Sequence, residues 1–69
     1  MRILSEIICI TQVDKYQIIK FKEKPSHDFR KVKIGKQIFN PIPAMDTTNC
    51  IAIESTDDHS DIKTIEFLL

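Results

Sequence analysis

The chain has 69 residues, with ten basic and ten acidic side chains, one glycine, two cysteines and no tryptophan. A chain this short buries only about 60% of its unfolded surface and supports one core, so residues 1–69 read as a single β domain. One glycine excludes phosphate-cradling and dinucleotide loops, which need several, and no run reaches the roughly 18 apolar residues of a membrane-spanning helix.

Residues 3–13 hold Ile3, Leu4, Ile7, Ile8, Cys9, Ile10 and Val13, a set that also fits a helical stripe. Four isoleucines and a threonine crowd a helical turn but suit a pleated surface, so the segment reads as a strand covered on both faces. Asp14-Lys15 separates it from a second strand, Tyr16 to Lys22. There the apolar positions pass from even (Tyr16, Ile18) to odd (Ile19, Phe21), a phase slip at Ile18-Ile19 that a β-bulge would produce, as would a strand bending around a barrel corner. A charged loop follows and ends at Phe29.

Arg30 to Phe39 reads as strand, turn, strand around Gly35, with Val32 and Ile34 facing in and Lys31 and Lys33 facing out. A two-residue Gly35-Lys36 loop pairs Ile34 with Gln37, whereas a three-residue loop pairs Ile34 with Ile38. Asn40-Pro41-Ile42-Pro43 is an edge strand or extended connection, because proline lacks the donor that a central ladder requires. Residues 44–49 read as a loop with at most one short helical turn capped by Asp46. Cys50 to Glu54 is an interior strand, residues 56–61 a polar turn, and Ile62 to Leu69 a last strand with Ile65, Phe67 and Leu69 on one face. The predicted fold is all-β, a five- or six-stranded antiparallel barrel or rolled sheet.

Catalytic constellations are poor. Ser26-His27-Asp28 holds the residue types of a hydrolase triad, but adjacent side chains diverge and cannot converge on one proton path. Asp57-Asp58-His59-Ser60-Asp61 lacks the glycine and the later glutamate of a calcium loop, and ordinary turn chemistry explains it. Cys9 and Cys50 lie in apolar runs and read as core thiols rather than nucleophiles. Met1 to Glu6 places a carboxylate where a signal peptide would be apolar, so the expectation is a reducing cytoplasm, with free thiols and neither metal nor cofactor.

Charge is segregated along the chain. Residues 15–36 carry eight basic against two acidic side chains, and residues 44–69 carry six acidic against one basic. Lys20, Lys22 and Lys24 share one parity and Lys31 and Lys33 share another, so pairing of their strands would align five lysines. The expected function is a non-enzymatic module acting through protein contacts, with a second copy of the chain among its partners. The candidate contact residues are Lys20, Lys22, Lys24, Lys31, Lys33, Ile42 and Met45. The alternative is a weak single-stranded nucleic-acid binder that uses the lysines, with Tyr16 or Phe29 stacking on bases. A net charge of zero, a pI near 6.7 and few aromatics weigh against it.

Overall fold

The computed structural model describes residues 2–26, 28–43 and 49–69. Met45, His27 and the helical turn expected at Asp46 lie outside the described residues. The strands are β1 (Arg2–Val13), β2 (Tyr16–Phe21), β3 (Lys31–Ile34), β4 (Gln37–Phe39), β5 (Ile42–Pro43), β6 (Cys50–Glu54) and β7 (Thr64–Leu68), and among the described residues there is no helix. Every pairing is antiparallel, in the order β4-β3-β7-β1-β2-β6-β5. The expected all-β class is present as a sheet curled into a half-barrel, whose fifth strand is only two residues long.

β1 makes the curl. Arg2 to Glu6 pair with β7, while Ile7 to Val13 pair with β2, so one strand serves two halves of the sheet. The register with β2 shifts between Ile7 and Cys9, and the inward phase passes from Ile3, Ser5 and Ile7 to Ile10. An extra residue at this point bends the strand and strengthens its twist. The bulge or bend expected at Ile18-Ile19 is therefore in β1 instead. β2 is regular, with Gln17, Ile19 and Phe21 buried and Tyr16 and Ile18 on the outer face. The apolar pattern misplaces the bulge because a polar residue, Gln17, takes an inward position that the fold satisfies with hydrogen bonds.

Nor is β1 covered on both faces, since Leu4, Ile8 and Val13 are exposed. Its inner face joins a core of Ile7, Ile19, Phe21, Val32, Ile34, Ile51, Ile53, Ile65 and Phe67. Phe67 of β7 links the two halves: its ring lies 5.0 Å from Phe21 of β2 and 4.7 Å from Phe29, which closes the loop after β2. Edge-on and tilted pairs of this kind contribute about 0.5–1.5 kcal/mol beyond the area they bury. The buried Ser5 hydroxyl accepts a hydrogen bond from the Glu23 amide at 3.1 Å, which pins that loop to β1. Leu69, expected to share the inner face with Phe67, lies past the end of β7 and is exposed.

The hairpin at Gly35 has the two-residue register, with Ile34 opposite Gln37 and Val32 opposite Phe39. Gly35 has φ of 63°. The β1–β2 hairpin is equally tight, and there Asp14 adopts φ of 53° without being glycine. β5 is the expected proline-bearing edge, with Ile42 opposite Ala52.

The last strand does not end at an edge. β7 inserts between β1 and β3, which places Glu66 across from Leu4 on one side and Lys33 on the other. Basic and acidic stretches that are separate in sequence are thus interleaved in space. Of the ion pairs among the described residues, Lys15 with Glu54 at 4.0 Å joins the two stretches, and Arg2, outside the basic one, pairs with Glu66 at 3.6 Å.

Candidate interaction surface

The two outermost strands, β4 and β5, are separated in sequence by only Asn40 and Pro41, so their facing ends lie within about 11 Å of one another. Side chains tie β4 to β2 and to the loop after β6. His59, expected in an exposed polar turn, is buried and sits edge-on to Phe39 at 5.7 Å. Its Nδ1 lies 2.7 Å from Gln17 Oε1 and its Nε2 lies 3.2 Å from Gln37 Oε1. Gln17 Nε2 donates to the Asp57 carbonyl at 2.7 Å and to Gln12 Oε1 at 2.9 Å, and Gln37 Nε2 donates to the Asp57 carboxylate at 2.9 Å. Both amide nitrogens are committed to acceptors, so both His59 nitrogens face amide oxygens. The network joins β1, β2, β4 and the β6–β7 loop, and it is built as a structural clasp. Among the described residues, no group of three or more metal-ligating side chains is present.

The sheet's outer face offers a different kind of surface. Directly opposed residues of antiparallel strands share a face, so the register defines cross-strand rows. On β1, β2, β6 and β5 one row is Thr11, Ile18, Ala52 and Ile42. A second, two residues along, is Val13, Tyr16 and Glu54, and a third on the other side is Cys9, Lys20 and Cys50. Val13 is 46% exposed and Ile42 42%. Ile18 and Ala52 are half-buried.

Cys9 is exposed and Cys50 half-buried on this face, which corrects the expectation that they are core thiols. The apolar runs around them are misleading because Ile8, next to Cys9, also faces out at the bulge, while Ile51, next to Cys50, faces in. β2 lies between the two cysteines, placing them about 9.6 Å apart, beyond the roughly 7 Å that a disulfide spans.

The candidate lysines do not form one stripe. Lys20 is on the outer face of β2, and Lys22 and Lys24 are exposed just beyond its end. Lys31 and Lys33 are on β3, which β7 and β1 separate from β2. The predicted alignment assumed neighbouring strands, and the long-range pairing of β1 with β7 removes that condition. Phe29, offered as a base-stacking residue, packs on Phe67 in the core. Ile42 is exposed as expected. Tyr16, the other base-stacking candidate, is half-buried on the outer face, and what sequence reasoning missed beside it was Ile18.

No helix among the described residues is long and apolar enough to cross a membrane. Compared with protein-family models, curated proteins and solved structures, the chain has no match in any of the three.

Proposed function

We propose that this chain is a non-enzymatic interaction module that binds protein through the outer face of β1, β2, β6 and β5. The observation that carries this reading is the Thr11, Ile18, Ala52 and Ile42 row, which is free of charged side chains and crosses four strands. Isolated exposed apolar residues are ordinary on any protein, whereas a contiguous apolar patch rimmed by polar and charged groups marks a contact surface. Lys20 on one side and Glu54 on the other supply such a rim.

Cys9 and Cys50 border the row and allow a direct test. A photo-crosslinker attached to either thiol is expected to capture a defined protein in an extract of the native host, and Ile18→Lys is expected to abolish the capture. Recovery of nucleic acid alone, or capture that ignores the Ile18 substitution, defeats the reading.

A further inference from the structure

The charge on this outer face changes sign across the apolar row, and that distinguishes the ways in which the face can be covered. Glu54 lies on β6 in the row two residues to one side of Ile18 and Ala52, and Lys20 lies on β2 in the row two residues to the other. Stacking two copies face to face with β2 running in the same direction, about an axis along β2, sets Lys20 against Lys20 and lays Glu54 over the partner's Val13, with no cation of these rows opposite it. Stacking them with β2 reversed keeps the apolar row on itself and exchanges the outer rows. Each Lys20 then meets the partner's Tyr16, with the partner's Glu54 one strand away, within reach of a lysine side chain.

We propose that the face binds a second copy of this chain, with β2 packed antiparallel on β2 about a two-fold axis that crosses the strands at Ile18 and Ala52. This rests on the interaction reading above and names its partner. The arrangement is isologous: one patch complements itself, and both ends of each charged pair recur by symmetry. Among the described residues, neither charge has a buried or strong partner within the monomer. Among the described residues Glu54 pairs with Lys15 alone, at 4.0 Å with both side chains well exposed, a pairing of the weak surface kind. Three short rows make a small interface, so the proposal implies a monomer and dimer in concentration-dependent exchange.

Sedimentation velocity over a concentration series up to about 1 mM tests it. The wild-type chain is expected to shift from monomer to dimer. Lys20→Glu and Glu54→Lys are each expected to weaken association at least about tenfold, the double exchange to restore it, and the circular dichroism of all three to match the wild type. A wild-type chain that stays monomeric throughout overturns the proposal, as does a double exchange no tighter than the single variants. If the wild type stays monomeric while crosslinking from Cys9 still captures another protein in an Ile18-dependent way, the self-association proposal falls and the interaction reading stands.

Discussion

The imidazole Nδ1 of His59 lies 2.7 Å from the side-chain oxygen of Gln17, a contact made across 42 residues of sequence. It connects the loop after β6 to the start of β2, and through Gln37 the same ring reaches β4. The edge strand β4 is paired on one side only, by β3, and here buried polar groups tie it to β2 as well.

His59→Ala is therefore expected to cost about 1–3 kcal/mol of stability, because it strands the buried Gln17 oxygen and removes the ring that meets Phe39. Denaturant unfolding measures the loss. A change below about 0.5 kcal/mol, the ordinary range for surface substitutions, would show that the network holds nothing in place.

The two tight hairpins predict opposite responses. Gly35→Ala puts a side chain at φ of 63°, with its Cβ 3.3 Å from Ile62 Cδ1, and is expected to destabilise by about 1–2 kcal/mol. Asp14→Gly relieves a non-glycine residue at φ of 53° and is expected to stabilise by about 0.5–1 kcal/mol, because the Asp14 carbonyl that Gln12 contacts is kept. Thermal unfolding of the two variants should bracket the wild type; a destabilised Asp14→Gly would contradict the turn geometry.

Asp58 gives a pH dependence with a defined sign. The Ser60 backbone amide and then its hydroxyl favour the charged carboxylate and hold its pKa below the ordinary 3.8; desolvation opposes them, and the nearby His59 charge acts with them. A depressed folded-state value means that the contribution is present above the unfolded value and is lost as pH falls through the folded one. Asp58→Asn should thus be less stable than the wild type at neutral pH. In unfolding experiments carried down to about pH 2 the gap should narrow, and a gap that is constant with pH would refute the assignment.

β1 and the Gly35 hairpin were legible in the sequence because their signals are local. Isoleucine-rich stretches favour a pleated backbone, and a lone glycine between them can take positive φ without strain. The outer face was not legible, since apolar periodicity in Tyr16 to Phe21 shows two candidate faces and does not say which is covered. Gln17 decided it by facing inward to Asp57 and His59, partners more than 35 residues away.

By itself the sequence determined the strand-rich class, the turn positions and the proline-limited edge, since steric limits on φ and β-branched packing act within a few residues. Only the tertiary structure decided that β7 lies between β1 and β3, dividing the lysines, and that Ile18 and Ala52 face outward beside two separated thiols. Those outcomes depend on which distant strands pair. That pairing is selected by the summed burial of both partners and the satisfaction of their polar groups, quantities that no local window contains.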